Sequence, residues 1–253
     1  MTTILRGRNI GVTFGKFQAV RDVDLDIETG HVHSIIGPNG AGKTTLFNVL
    51  SGRQRLTAGR IAIDETDVTA QPEHLRSRIG MARSFQINSL FWTFSVLENM
   101  RLAVQARDYR IARSVLRSDA DRSEEVSVAT SLCVSIGLGD QLHAVVDHLS
   151  HGQQRRLEIG LALASKPRLL LLDEPTSGMG VDDLPAMASL IRSLKRDGYT
   201  VVLVEHNMNL VMNLSDRITV MHQGRVLAGG SPAEISSDGR VREAYLGKGL
   251  DRA

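Results

Sequence analysis

The spacing of apolar and polar residues divides the chain into three parts with different predicted structures. In the first part, residues 10–14, 23–27 and 31–36 form short strand-like segments, and VDLDI at residues 23–27 alternates strictly between apolar and polar. This period of two predicts strands with one solvent-exposed face. A Gly-rich segment and an apolar helix over residues 43–50 follow, and GRIAID at residues 59–64 predicts another strand.

The middle part, residues 95–149, has a helical pattern. Apolar residues recur at steps of three and four in SVLENMRLAVQARDYRIARSVLR, residues 95–117, which predicts helices. The basic residues along it are Arg101, Arg107, Arg110, Arg113, Arg117 and Arg122. They predict a solvated helix face, and a docking surface for a partner is the alternative.

The last part alternates helices with fully apolar strands. Such strands are predicted in PRLLLLDEP, residues 167–175, and YTVVLVEH, residues 199–206, with a helix over residues 182–195 between them. The segment DRITVMHQGRVLAGG, residues 216–230, predicts a hairpin that turns at residues 223 and 224. Apolar strands separated by helices indicate a parallel sheet covered on both faces. We therefore expect one α/β domain over residues 1–253, with a core of residues 1–85 and 150–253 and a helical insertion at about residues 86–149.

Composition narrows the class of protein. With 253 residues, 42% of them hydrophobic, the chain can bury a sizeable core. It has 30 basic against 28 acidic residues, a net charge of +2, which argues against a dedicated nucleic-acid binder. The single cysteine, Cys133, cannot form an internal disulfide. The sequence has no apolar run long enough to span a bilayer and no signal-peptide pattern, so we expect a soluble chain that reaches a membrane through a partner.

A Gly-rich segment carries the first candidate chemistry. GPNGAGKTT, residues 37–45, fits the phosphate-binding pattern G-x-x-x-x-G-K-[ST], with a predicted strand before it and a helix after it. We expect Lys43 and the loop amides to bind the phosphates of ATP at the helix N-terminus, and the Thr44 hydroxyl to bind Mg²⁺. The expected nucleotide contacts in this segment are Gly37, Pro38, Asn39, Gly40, Ala41, Gly42, Lys43, Thr44 and Thr45.

Polar residues follow the later apolar strands. Asp173 stands at the end of LLLL, the usual ligand-facing edge of an α/β sheet, and is a candidate ligand of Mg²⁺ through water. Glu174 points the other way along an extended backbone and is a candidate general base. Gln86 and His206 follow other predicted strands. Gln86 is a candidate to contact Mg²⁺ or the attacking water, and His206 is a candidate hydrogen-bond partner of the γ-phosphate.

A second phosphate-binding turn is predicted in LSHGQQRRLEIG, residues 149–160. Ser150 is a predicted helix N-cap and Gly152 stands beside the helix start. The segment has no lysine and no preceding strand, so it provides an anion site without the rest of a nucleotide pocket. We expect the turn of one subunit to close over ATP bound at the Gly37 loop of another, with Ser150, Gly152 and Gln153 as contacts.

The order of the phosphate loop, the Gln86 loop, LSHGQ, LLLLDEP and VEH resembles the ATP-binding cassette (ABC) ATPase domain over nearly the whole chain. The resemblance implies a P-loop NTPase core with a mostly parallel sheet, an N-terminal antiparallel β subdomain and an inserted α-helical subdomain. It implies ATP and Mg²⁺ as cofactors, two cassettes around two ATP molecules, and catalytic roles for Lys43, Gln86, Glu174 and His206. Phe14 in VTFG matches the aromatic that stacks on adenine, whereas without the resemblance we would expect a core residue there.

Finer features resemble the ATPase subunits of branched-chain amino acid importers: RSFQ, GQQRRLEIG, EPTSGMG and REAYLG. Importers of urea and short amides are also similar. The resemblance implies a second cassette, identical or related, two transmembrane permease subunits, indirectly a periplasmic or extracellular solute-binding protein, no nucleic-acid partner, and a place on the cytoplasmic face of the cell membrane. His151 departs from LSGGQ, and we expect function to survive. Gly180 stands where Asp is frequent, which leaves open how the two sites communicate.

Two other functions are disfavoured by the sequence. A soluble ABC protein of DNA repair or translation would usually carry two cassettes, a long coiled coil or a basic extension, and this sequence has one cassette and none of these. A lipid or polysaccharide exporter is less consistent with SHGQQRRLEIG and the C-terminal segment.

The transported substrate is chosen by other chains. Phe91, Trp92 and Phe94 are either a docking surface for membrane subunits or part of the insertion's own core.

Overall fold

The computed structural model describes residues 2–84, 90–107 and 119–246. In chain order the strands are β1 Thr3–Phe14, β2 Phe17–Glu28, β3 Val32–Ile36, β4 Ala58–Ile63, β5 Thr66–Asp67, β6 Met81–Arg83, β7 Leu169–Asp173, β8 Thr200–Val204, β9 Arg217–His222 and β10 Arg225–Gly230. The helices are α1 Lys43–Ser51, α2 Glu73–Arg78, α3 Val96–Arg107, α4 Asp119–Ser135, α5 His151–Leu163, α6 Leu184–Arg196, α7 Met208–Leu214, α8 Pro232–Ser237 and α9 Gly239–Leu246.

The N-terminal strands form an antiparallel sheet in the order β2-β1-β4-β5. Strands β1 and β2 extend well beyond the predicted segments at residues 10–14 and 23–27. The prediction stopped short because charged residues lie on the exposed side of the sheet, where Arg8 Nη2 donates to both carboxylate oxygens of Asp26 at 2.9 Å. The predicted antiparallel β subdomain is confirmed.

The second sheet has the order β10-β9-β3-β8-β7-β6. Strands β9, β3, β8, β7 and β6 pair in parallel, and β10 pairs antiparallel with β9 as the predicted hairpin. Along β7, Leu169 and Leu171 pack in a cluster with α1 and the first sheet, whereas Leu170 and Leu172 pack with α5 and α6. Alternate residues of one strand therefore enter two cores, which confirms a mostly parallel sheet covered on both faces.

The described part of residues 95–149 is largely helical, as predicted. Helices α3 and α4 contact each other, and short 3₁₀ turns at Gly139–Gln141 and Val146–His148 lead to α5. Val96, Met100 and Cys133 share one core with Leu172 of β7. The helical segment is therefore packed onto the sheet, and its boundaries at about residues 86–149 stay a prediction.

Two surface predictions for this segment have different outcomes. Arg101 is partly buried and forms ion pairs with Glu98 and Glu125, whereas the side chains of Arg107, Arg110, Arg113, Arg117 and Arg122 lie outside the described residues. Phe91 and Phe94 are exposed and stack with centroids 5.4 Å apart. Trp92 packs against the core, whereas the docking surface at Phe91 and Phe94 stays a prediction. Among the described helices, none has the length and apolar content that crossing a bilayer requires.

Candidate functional site

The phosphate loop joins β3 to α1, and two of its glycines are required by close backbone contacts. A Cβ on Gly37 (φ 152°) would lie 2.2 Å from the Met221 carbonyl oxygen, and one on Gly42 (φ 96°) would lie 2.6 Å from the Ala19 carbonyl oxygen. Backbone cannot yield at such distances as a flexible side chain can, so any other residue would displace the loop. The packing thus explains the two glycines before any ligand is considered.

Lys43 lies inside this loop. Its Nζ donates to the carbonyl oxygens of Gly37 at 2.8 Å and Pro38 at 3.1 Å, and the residue is 6% exposed. Burial lowers the pKa of Lys43, and the negative charge of Glu174 partly offsets that effect. The ammonium group is thus held in the turn, while Thr44, at the start of α1, is exposed.

Asp173, at the end of β7, is bound by a residue that the sequence reasoning missed. Arg83 at the end of β6 donates from Nη2 to Asp173 Oδ2 at 2.7 Å. Its Nη1 donates to Asn48 Oδ1 at 2.7 Å and Ser51 Oγ at 3.0 Å on α1. A signal was available, because Arg83 ends a strand-like segment three residues before Gln86 and carboxyl ends of parallel strands share one edge.

The structure brings Glu174 and His206 together. Glu174 Oε1 and His206 Nε2 lie 3.0 Å apart, and both side chains are partly exposed. Glu174 has φ 46°, a left-handed conformation that costs energy for a residue other than glycine and is common at functional sites. Its backbone N–H donates to the Val204 carbonyl at 2.9 Å, which fixes it beside the end of β8. Asp173 and Glu174 therefore contact different partners, but the left-handed conformation of Glu174 replaces the extended backbone that was predicted.

A second acidic residue was also missed. Glu205, between β8 and His206, is 3% exposed, and its carboxylate accepts hydrogen bonds from Thr176, His206 and Asn207. The apolar strand VVLV before it carried no signal of this role, because an acid at a strand end is usually solvated.

Ser150 is the N-cap of α5, which confirms the prediction. The Gln153 backbone N–H donates to Ser150 Oγ at 3.2 Å, and the Ser150 backbone N–H donates to Gln153 Oε1 at 2.8 Å, a capping box. Gly152 is buried, and a Cβ there would lie 2.3 Å from Asp183 Cγ. Its neighbour His151 is exposed, and its ring lies beside the Cα of Gly178, where a Cβ would be 3.2 Å from Cδ2.

Phe14 is 49% exposed at the end of β1, so the expectation of a core residue is wrong and the side chain is accessible for stacking. Gln86 lies outside the described residues.

For Mg²⁺, Thr44 offers a solvent-exposed hydroxyl, and Asp173 offers a carboxylate of which Arg83 holds one oxygen. Oxygen ligands of this kind fit Mg²⁺, which also keeps waters and phosphate oxygens as ligands. Among the residues that the structure describes, no group of three His, Cys, Asp or Glu could hold a metal ion.

Comparison with known proteins identifies the family. Residues 20–177 match the family model described as ABC transporter. The chain belongs to the ABC transporter family. Residues 225–251 also match the model described as Branched-chain amino acid ATP-binding cassette transporter. As a member of this family the chain is an ATPase that powers transport, and ABC ATPases bind ATP and ADP.

Individual relatives extend over almost the whole chain. The High-affinity branched-chain amino acid transport ATP-binding protein LivG of Salmonella typhimurium is 37% identical over 97% of this chain and 98% of its own length. The ADP conformation of MJ1267, an ATP-binding cassette of an ABC transporter, has a TM-score of 0.85 at 28% identity and covers 98% of this chain and 100% of that one. A dimeric post-hydrolysis state of the cassette MJ0796, bound to ADP and Pi, has a TM-score of 0.73 at 26% identity and covers 90% of this chain and 98% of that one.

Proposed function

We propose that this ATPase is the energy-supplying subunit of an importer for branched-chain amino acids or similar small polar solutes. The observation that carries the proposal is the set of groups at the carboxyl ends of β3, β7 and β8: the Lys43 loop, Asp173 and the Glu174–His206 pair. Support for the class of solute comes from the match at residues 225–251 and from the transport function that the name of LivG states.

Each group has a proposed role in hydrolysis, and Gln86, which lies outside the described residues, takes its role from the sequence alone. The backbone N–H groups of the Gly37–Thr45 loop, except at Pro38, and the Lys43 ammonium bind the phosphates, and Phe14 stacks on adenine. Thr44, Asp173 and Gln86 would hold Mg²⁺, which when bound would neutralise negative charge on the phosphate oxygens. Glu174 accepts a proton from the attacking water. His206, 3.0 Å from Glu174, orients that carboxylate and binds the γ-phosphate.

The complete site needs a second cassette. Ser150 is exposed on the capped N-terminus of α5, where backbone amides and the helix dipole favour an anion. Ser150, Gly152 and Gln153 of one cassette bind the γ-phosphate of ATP that the Gly37 loop of the other holds. The dimeric MJ0796 structure supports pairing of cassettes. Identical and related partners both fit this arrangement.

The partners follow from the importer function. The cassette pair binds two transmembrane permease subunits at the cytoplasmic face of the cell membrane, and a solute-binding protein on the other side delivers the solute. The exposed, stacked pair Phe91 and Phe94 is the proposed contact with the permeases. The chain acts without nucleic acid. An importer of urea or short amides is the second candidate, and an exporter is less consistent with the C-terminal match.

Glu174→Gln tests the catalytic assignment. The amide cannot accept the proton of water, so we expect kcat to fall at least about 100-fold while ATP affinity changes little. The measurement is phosphate release together with binding of a fluorescent ATP analogue. A variant that hydrolyses ATP at the wild-type rate would refute the role of Glu174.

Purification of the tagged chain from its native membranes tests the importer function. Two multi-span permeases, a cassette and a solute-binding protein should copurify, and the binding protein can then be titrated with leucine, urea and acetamide. Binding of leucine supports the proposed solute class, and binding of urea or acetamide alone would transfer the assignment to the second candidate. Recovery of soluble nucleic-acid machinery without membrane proteins would overturn the transport role.

A further inference from the structure

The buried carboxylate of Glu205 lies between the two loops that carry the proposed catalytic pair. Its Oε1 accepts from the backbone N–H of Thr176 at 2.9 Å and from the Thr176 hydroxyl. Its Oε2 accepts from the backbone N–H groups of His206 at 2.9 Å and Asn207 at 3.1 Å. One side chain that is 3% exposed thus receives four hydrogen bonds from two chain segments.

These bonds compensate the burial of the charge. Moving a carboxylate out of water is costly unless hydrogen bonds replace its hydration. In the described part of the chain, Glu205 accepts hydrogen bonds from backbone amides and a hydroxyl, not from lysine or arginine. Because the donors belong to loop backbones, Glu205 fixes the course of the chain at both loops.

On the His206 side, the carboxylate sets the turn that presents the imidazole. It binds the amides of His206 and Asn207, and the Asn207 side chain accepts from the Leu210 backbone N–H at 3.1 Å as the N-cap of α7. His206 therefore stands between a bonded carboxylate and a capped helix, so its backbone has little freedom.

On the Glu174 side, the carboxylate holds the chain two residues after the strained position. The Glu174 backbone N–H is bound to the Val204 carbonyl at 2.9 Å, and Thr176 is bound to Glu205. The left-handed conformation of Glu174 is thus held from both ends. Strain of this kind persists where the surroundings over-determine the backbone.

We propose that Glu205 is a positioning residue for ATP hydrolysis, because its buried carboxylate bridges Thr176 to His206 and Asn207 and thereby fixes the Glu174–His206 pair. The proposal rests on the proposed roles of Glu174 and His206. It predicts that loss of the bridge lowers turnover and leaves nucleotide binding intact, since the four hydrogen bonds of Glu205 go to Thr176, His206 and Asn207 and not to Lys43 or the phosphate loop.

Glu205→Gln changes this bridge with almost no change of shape. The amide group of glutamine has one oxygen and one NH₂, so one pair of donors loses its acceptor. Facing the NH₂ towards Thr176 is the better arrangement, because the Thr176 hydroxyl can turn and accept from it, whereas the amides of His206 and Asn207 cannot. The Thr176 backbone N–H then stays unpaired and the Glu174 loop loosens.

The experiment measures kcat and KM for MgATP and binding of a fluorescent ATP analogue, with full-length chain over a range of concentrations. We expect Glu205→Gln to lower kcat about 10- to 100-fold with KM and analogue affinity within about threefold, the pattern of misplaced catalytic groups. Thr176→Val should lower kcat and Thr176→Ser should retain it. In the Glu205→Gln background, Thr176→Val should cost more than in the wild-type background, because the hydroxyl there accepts the new amide.

Thr219→Val is the matched control, because it also removes a buried side-chain hydrogen bond, that of Thr219 with His33 at 2.8 Å, and should leave kcat unchanged. If Glu205→Gln does not fold, the comparison of kcat between Thr176→Val and Thr176→Ser still tests the inference. Wild-type kcat in both Glu205→Gln and Thr176→Val would overturn the inference, as would equal losses of kcat and analogue affinity. Wild-type turnover in Glu174→Gln would instead overturn the proposed roles on which the inference rests.

Discussion

Replacement of Arg83 by methionine is expected to destabilise the fold more than any single loss of a surface charge. The side chain of Arg83 is 5% exposed, and its guanidinium lies 4.8 Å from the centre of the Phe47 ring. It joins β6, β7 and α1 through its bonds to Asp173, Asn48 and Ser51. Methionine keeps much of the apolar volume and removes every one of these bonds.

The magnitude follows from the groups left behind. Asp173 would remain as a partly buried carboxylate without its cation, and breaking such a pair by removal of one partner costs about 3–5 kcal/mol. The lost bonds to Asn48 and Ser51 act in the same direction, whereas relief of the burial that lowers the pKa of Arg83 acts in the other. We therefore expect the free energy of unfolding to fall by about 3–4 kcal/mol. Arg83→Lys should lose less, because it keeps the charge but not the fork of donors.

Urea denaturation followed by the fluorescence of Trp92 measures the effect, since Trp92 is the single tryptophan and packs against the core. The matched control is Arg168→Met. Arg168 also forms a forked ion pair, with Asp64, but its side chain is 60% exposed, so its loss should cost at most about 1 kcal/mol. If Arg83→Met and Arg168→Met shift the unfolding midpoint equally, the ion pair at Asp173 contributes no more than a surface contact and the reasoning is wrong.

Two further predictions concern pH and the second phosphate-binding turn at Ser150. Burial, with smaller effects of Arg217 and His31, lowers the pKa of His33 to about 3. Below the unfolded pKa of about 6.5, the unfolded chain therefore binds a proton at His33 that the folded chain does not bind. The free energy of unfolding should fall by about 2 kcal/mol between pH 7 and pH 5. His33→Gln should remove this part of the pH dependence in urea titrations at both pH values, and the exposed His143→Gln should not. Gly152→Ala should lower the unfolding free energy by about 1–3 kcal/mol, because its Cβ would displace Asp183. Gly180→Ala should be neutral, because a Cβ there meets nothing within 4 Å and its φ is −67°, and equal effects of the two would contradict the packing argument.

The sequence predicted the elements better than their lengths. The apolar strand around Leu170 was identified because a strand buried on both faces is a continuous apolar run, which the sequence shows directly. The first strands were predicted too short, because Arg8 and Asp26 pair across the exposed face and a polar residue in the sequence does not tell whether its partner lies on the next strand. The hairpin and the N-cap at Ser150 were predictable because turn and cap chemistry is local.

The site was predictable where motifs are local and not where the fold joins distant positions. Lys43 and Thr44 follow from one segment of nine residues, whereas the bond from Arg83 to Asp173 spans 90 positions and that from Thr176 to Glu205 spans 29. Pairing of β6 with β7 and of β7 with β8 creates both contacts. The sequence identifies the strand ends, but pairing Arg83 with Asp173 and Thr176 with Glu205 also requires the order of the strands in the sheet.

The polar residues at the ends of β7 and β8 occupy two different environments. Each strand ends in two polar residues, Asp173 and Glu174 after one and Glu205 and His206 after the other. In each pair one residue is tied into the protein, Asp173 by Arg83 and Glu205 by loop amides. The other, Glu174 or His206, is partly exposed, and the two meet at 3.0 Å. Each strand end thus supplies an anchored group followed by an accessible group, although Glu174 has a left-handed and not an extended conformation. Reactive residues at neighbouring strand ends are therefore held at a fixed separation by the residues beside them, which is why we place the test of positioning at Glu205.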